Sequence, residues 1–282
     1  MSLVGQSAQT RFHTASICVY SIVTKIFRED AMRFANRVLF VTGGGSGLGA
    51  ATARRYASEG GKVAVADRNG AAAEAVAASI PGGLAITCDV GDEASVEAAV
   101  AKTHATFGRL DSVFCAAGHV EFAPIEQFTA EQFERMLRVH VTGTFLACRA
   151  ALPRLRASGG GAIVNVASVA GLTARRNLAA YSAAKGAIMA LSRQLSLDAA
   201  DDKVRVNVIA PGTVRTGMTE PLYYARGEGD YAKGAAMSSS DSIQKRIAEP
   251  EEIAAPVCFL LSDEASFCTG MTLVADGGLT AI

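Results

Sequence analysis

The 282-residue sequence predicts a single α/β domain, and three observations carry that prediction. Half of the residues are hydrophobic and only 7 are proline, which supplies one sizeable core and few breaks in regular structure. Short apolar runs at 37–42, 62–67, 84–88, 110–115 and 161–168 have strand character, and helical stretches are read after the first, third, fourth and fifth of them. A glycine-rich turn joins the first of these strands directly to the first helix.

Lys plus Arg and Asp plus Glu each total 27, so no net field draws nucleic acid or an anionic membrane surface. Any charged ligand has to be held locally. The six cysteines form no CxxC pair and fall mostly in apolar runs, which argues for reduced, packed thiols in a cytoplasmic protein. Residues 1–33 lack a clean period and read as an N-terminal extension: a tag, upstream translation or a peripheral arm. Their apolar stretch at 15–23 is too short to cross a bilayer, and no spanning helix follows, so no membrane partner is expected. The domain proper is 34–282.

The turn after the first strand holds Gly43, Gly45, Ser46, Gly47, Leu48 and Gly49 and opens a helix to about Ser58. Bare backbone N–H groups at a helix N-terminus can approach a pyrophosphate with no Cβ in the way. The second strand ends in Asp67, at the spacing of an acid that hydrogen-bonds an adenosine ribose. Such a carboxylate repels a 2′-phosphate and favours NAD over NADP. Two other readings of this strand end stand beside it: Asp67 caps an ordinary turn, or Arg68 receives the phosphate. Asp89 and Val90 follow the third strand, where the carboxylate either meets the adenine edge or leads into the helix at 92–106. After the fourth strand, Ala116, Ala117 and Gly118 are small enough to let backbone pass under a bound cofactor. Thr129 and Gln132 fit a capping box for a long helix to about Ala157.

Ser168 closes the fifth strand, and in the helical run beyond it Tyr181 and Lys185, four apart, share one face. A phenol titrating at about 10 is a poor base, but a neighbouring ammonium lowers that value. The three groups together can exchange a proton with an alcohol. Arg175 and Arg176, between Ser168 and Tyr181, are either solvated or placed for an anionic group. From 216 to 249 the period is lost and Met218, Tyr223, Tyr224, Tyr231 and Met237 stand among glycines and polar residues, the look of a substrate lid. A helix at 250–261 and an edge strand at 271–275 complete the chain.

Thr42-Gly43-x-x-x-Gly47-x-Gly49, Asp67, Ala117-Gly118, Asn165, Ser168, Tyr181-x-x-x-Lys185, Pro211-Gly212 through Thr216 and Asp276-Gly-Gly278 occur in this order. With them the chain from about residue 37 onwards resembles the short-chain dehydrogenase/reductase family. The resemblance implies a single-domain, Rossmann-type, doubly wound parallel sheet of about seven strands with helices on both faces. Beyond the residues already named, it adds Pro211, Gly212, Val214 and Thr216, with Tyr181 and Lys185, to the cofactor contacts. It implies hydride transfer between NAD and a secondary alcohol or ketone, with no metal. Tyr181 would be the general acid/base, Lys185 would lower its pKa and hold the nicotinamide ribose, and Ser168 would hydrogen-bond the reacting oxygen. It also implies a homo-oligomer, tetramer or dimer. Two departures stand out: His140 occupies the place of the family's usual Asn, and Cys115-Ala-Ala-Gly118 replaces Asn-Asn-Ala-Gly. His140 either takes over the amide's part in holding a relay water or is simply packed. The departures also support a second reading, a non-catalytic NAD(H)-binding regulatory or scaffold protein.

Overall fold

The computed structural model describes residues 32–282, so nearly all of the N-terminal extension, and Cys18, lie outside the described residues. In chain order the elements are β1 (Val38–Thr42), α1 (Gly47–Ser58), β2 (Lys62–Asp67), α2 (Gly70–Ala78), β3 (Leu84–Thr87), α3 (Glu93–Phe107), β4 (Ser112–Cys115), α4 (Ala130–Leu137), α5 (Gly143–Ala157), β5 (Gly161–Val166), α6 (Ala179–Asp198), β6 (Val204–Pro211), α7 (Glu220–Arg226), α8 (Tyr231–Ser240), α9 (Pro250–Leu261) and β7 (Thr272–Ala275). The seven strands form one sheet in the order β3-β2-β1-β4-β5-β6-β7, and every pairing is parallel.

The strands are apolar along their whole length because helices cover both faces of the sheet. Successive side chains of β1 divide between the two sides, as the period of two requires. Leu39 and Val41 pack with Ala53 of α1 and Val257 of α9, whereas Val38 and Phe40 pack with Val100 of α3 and Leu146 of α5. Each fully buried side chain of this size contributes roughly 1.5–3 kcal/mol. At the expected boundary the chain already packs on the domain. Arg33 forks onto Glu59 at 2.7 and 2.9 Å, and Phe34 is buried with its ring 3.8 Å from that of Tyr56.

The capping box forms as the sequence predicts: Gln132 N donates to Thr129 Oγ1 at 3.2 Å and Thr129 N donates to Gln132 Oε1 at 2.8 Å. The long helix it opens is not uniform. Between α4 and α5 it widens into a π-helical turn, Arg138–Thr142, that carries His140 into the interior. Two other stretches differ from their sequence reading. Helix α2 was not predicted, because an Ala-rich run shows little contrast between faces. The stretch 216–249, read as aperiodic, contains α7 and α8, which pack on each other through the edge of Tyr231 against Tyr223 at 5.3 Å. Of the five cysteines among the described residues, all free, four are buried and Cys268 is half-buried.

The far edge of the sheet is tied down by two side chains of β6. Asn207 Nδ2 donates to Cys268 O at 2.8 Å, and Arg205 donates to Leu260 O and Ser262 O at 2.8 Å and to Cys268 O at 3.3 Å. Those carbonyls end α9 and lead into β7. Arg205→Met should therefore leave partly buried acceptors unpaired and cost about 2–3 kcal/mol, a fall in Tm of roughly 5–10 °C by thermal unfolding. An unchanged Tm would show that the carbonyls are already satisfied by solvent.

Candidate active site

The chain runs outward from β1 through β2 to β3 and, in the other direction, from β4 to β7, so the winding reverses between the adjacent strands β1 and β4. A cleft of about 380 Å³ opens there above the C-terminal strand edges. Each of the first six strands delivers residues to it: Gly43 after β1, Asp67 and Arg68 at β2, Asp89 and Val90 after β3, Ala116 to Gly118 after β4, Ser168 after β5, and Pro211 and Gly212 at β6. Ser46, Gly47, Leu48, Gly49, Val214 and Thr216 add to the wall, with Tyr181 and Lys185 of α6 at its other end.

The glycine turn passes very close to the loop after β4. Gly43 adopts φ +65°, and a Cβ there would stand 2.7 Å from Ala117 Cα. Gly45 is the one expected cofactor contact that does not line the cleft. Its amide instead donates to Asp67 Oδ2 at 3.0 Å, while Asn69 N donates to Oδ1 at 2.9 Å. The carboxylate is thus locked at the rim by two backbone donors. Asp89 Oδ1 likewise accepts from Gly91 N at 2.8 Å.

At the other end the chemistry is set by burial. Lys185 is 4% exposed, and its Nζ donates to Val166 O at 2.8 Å and lies 5.3 Å from the Tyr181 ring centroid. The strand ladder stops at Val166, which frees that carbonyl for the amine. Burial lowers the Lys185 amine to about 7. Burial also raises the Tyr181 phenol to about 12, the nearby Ser168 hydroxyl pulling the other way. This corrects one sequence expectation: a cation four residues along was to lower the phenol, but desolvation outweighs it and the lysine itself is only partly charged near neutrality. Ser168 is extended and accepts from Ala170 N at 3.2 Å.

His140 lies behind this pair, 1% exposed, its ring edge-on to Tyr181 with centroids 5.6 Å apart. Its Nε2 is 2.8 Å from His119 O and 3.1 Å from His119 N, and its Nδ1 is buried without a partner. Burial, then the charge of Lys185, hold its pKa well below the usual imidazole value, so the ring is neutral. The ring covers Gly118, where a Cβ would come 2.4 Å from its Cε1. Sequence reasoning missed His119, Cys88 and Val139, which also line the cleft. For His119 a signal existed, a titratable residue directly after the Ala117-Gly118 turn. Arg175 is not free for an anion: it lies 3.5 Å from Asp241, which also accepts from Arg226 of the lid at 2.6 Å.

A family model described as enoyl-(acyl carrier protein) reductase matches residues 43–280. The chain is 41% identical over 263 residues to 2-(S)-hydroxypropyl-CoM dehydrogenase 3 of Xanthobacter autotrophicus, covering 89% of this chain and 99% of that protein. A crystal structure of levodione reductase aligns with a TM-score of 0.85 at 38% identity, over 88% of this chain and 99% of that one. The chain belongs to the short-chain dehydrogenase/reductase family. D-threitol dehydrogenase of Mycolicibacterium smegmatis is another relative, 38% identical over 252 residues, 88% of this chain and 94% of that protein. This short-chain dehydrogenase/reductase is accordingly an oxidoreductase, and the family uses nicotinamide cofactors. The cleft fits such a group: glycines that line it without side chains, an anchored carboxylate at one end, and an amine and a phenol at the other.

A buried amine with one hydrogen bond is a stability liability. The unfolded lysine titrates at the ordinary 10.5 and the folded one at about 7, so between those values the unfolded chain holds more protons and stability rises with pH. Below about 7 the penalty is complete. Lys185→Met should therefore raise Tm at pH 6 by several degrees, with the advantage shrinking as pH climbs from 7 towards 10. A variant less stable than the parent at pH 6 would show that the Val166 hydrogen bond outweighs desolvation.

Proposed function

We propose that this oxidoreductase transfers a hydride between NAD and a small secondary alcohol or ketone, with Tyr181 as the proton-transfer group. The observation that carries the reading is the convergence of Ser168, Tyr181 and Lys185 at one end of a cleft whose other end displays the anchored Asp67. When bound, the nicotinamide supplies the hydride acceptor or donor and, in the oxidised form, a positive charge in the cleft. Ser168 Oγ hydrogen-bonds the reacting oxygen. On alcohol oxidation Tyr181 Oη must start as the phenolate, which takes the hydroxyl proton as the carbon gives up its hydride; on ketone reduction the phenol gives that proton up. Lys185, close to the ring, stabilises the phenolate as it forms. The neutral His140 packs against Tyr181 and Gly118 and fixes the ring's position, and its free Nδ1 is the acceptor that could take the family amide's place in a relay.

NAD rather than NADP follows from Asp67. Both of its oxygens are held by backbone donors, so the carboxylate cannot swing away from a 2′-phosphate. Arg68 lines the same rim, and its ability to neutralise that phosphate is the competing possibility. The non-catalytic reading rests only on His140 and Ala116, and both fit as packing residues. Among the described residues no helix is long and apolar enough to cross a membrane. A cytoplasmic homo-oligomer completes the reading, and the exposed rings of Phe145 and Phe267 are surfaces such an assembly would cover.

Tyr181→Phe should lower turnover by about 10²-fold to 10⁴-fold while leaving cofactor affinity nearly intact, since only the proton-transfer group goes. Turnover by absorbance of the reduced nicotinamide and affinity by titration check this, and unchanged turnover at saturating substrate would remove the mechanism. In the same assay Asp67→Ala should narrow the preference for NAD. A parent protein that takes both cofactors equally would assign the strand end to Arg68.

A further inference from the structure

We infer that His119 is a specificity-determining residue that accepts a hydrogen bond from a second hydroxyl of the substrate, so that vicinal diols and α-hydroxy ketones are preferred over mono-alcohols. The inference rests on the oxidoreductase reading above. His119 lines the same cleft as Ser168 and Tyr181, and a single imidazole separates it from the tyrosine: its ring centroid is 5.5 Å from that of His140, which is 5.6 Å from that of Tyr181. It thus lies one ring removed from Tyr181 on the wall of the same cleft, and the proton transfer described above makes no use of it.

The ring is held from both ends. The backbone N and O of His119 both lie within 3.1 Å of His140 Nε2, which fixes the loop. The side-chain Nε2 is buried and turned to Glu121, 3.2 Å from Oε1, at an angle short of a linear hydrogen bond. Glu121 is in turn fixed from α4, accepting from Arg135 Nη2 at 2.8 Å and from Gln132 Nε2 at 3.4 Å. A carboxylate can only accept, so the neutral ring carries its proton on Nε2 and presents Nδ1 as a bare acceptor. Burial keeps the ring neutral by lowering its pKa, with Glu121 opposing. With Nε2 buried beside the Glu121 carboxylate and the side chain 28% exposed, Nδ1 is the nitrogen left for the cleft. A bare acceptor on the wall of the cleft that holds Ser168 and Tyr181 selects a substrate that brings a second donor, and a hydroxyl near the reacting carbon has that chemistry. One relative points the same way in its name, that of a polyol, threitol. A ring fixed in advance gives such discrimination with little ordering on binding.

The test is kcat/KM for 2,3-butanediol and 2-butanol, within a panel of vicinal diols and matched mono-alcohols, for the parent, His119→Phe and His119→Gln. Melting temperatures confirm that each variant is folded. The parent should favour the diols by roughly tenfold, the value of one hydrogen bond. His119→Phe should lose that ratio, and His119→Gln, whose amide oxygen also accepts, should recover part of it. A Phe variant that keeps the parent's ratio, or a parent without diol preference, overturns the role of His119. Tyr181→Phe is measured alongside: loss of turnover on diols and mono-alcohols alike upholds the oxidoreductase reading on its own, so the two failures are distinguishable.

Discussion

The hydrogen bond from Lys185 Nζ to Val166 O, made in the interior between β5 and α6, is the constraint around which the catalytic end of the molecule is arranged. It needs a strand that stops at Val166 so that a carbonyl is left over, and a helix entering close enough for a long side chain to reach back to it. The same entry brings Tyr181, one turn earlier, over the amine. The buried cluster that results is kept nearly uncharged by desolvation: the amine near 7, the phenol near 12, the imidazole of His140 well below its usual range. Groups in so dry a setting respond strongly to any charge that arrives in the cleft, because little water remains to screen it.

That arrangement has a stability side and a functional side. An amine with a single partner lowers the stability of the fold, and an aliphatic side chain would suit the same space better. Its retention is a case of activity drawing on stability. The opposite end of the cleft shows the reverse economy. Asp67 is exposed enough to meet a ligand, and its two backbone bonds fix it without help from any other charged group. The lid is joined to the catalytic loop through Arg175 and Asp241, so its position and that of the segment before Tyr181 are coupled.

Much of this was legible in the sequence where a local pattern has one physical cause. The glycine turn between β1 and α1, the carboxylate ending β2 and the Thr129 box each depend on a few neighbouring residues, and each lies where the pattern put it. Helix α2 escaped notice because Ala at nearly every position leaves no apolar stripe to read. The lid helices escaped because both are short and separated by Gly227 and Gly229. The π-helical turn around His140 has no sequence signature, yet it decides that the imidazole points inward. The sign of the Tyr181 shift was misread for a related reason. A spacing of four shows that a cation is near, but not how much water either group retains, and here the lost water is the larger effect. His119 was overlooked although it directly follows the Ala117-Gly118 turn; its contact with His140, 21 residues further along, is what only the fold reveals.

The central claim is that burial, more than the adjacent lysine, sets the protonation of Tyr181. Tyrosinate absorbance followed against pH, as the difference between the parent and Tyr181→Phe, isolates this one phenol from the others. The account predicts no ionisation of Tyr181 below about pH 11 in the protein by itself, and a downward shift when NAD is added. A Tyr181 that ionises at or below the ordinary value of about 10 before any cofactor is added would contradict it.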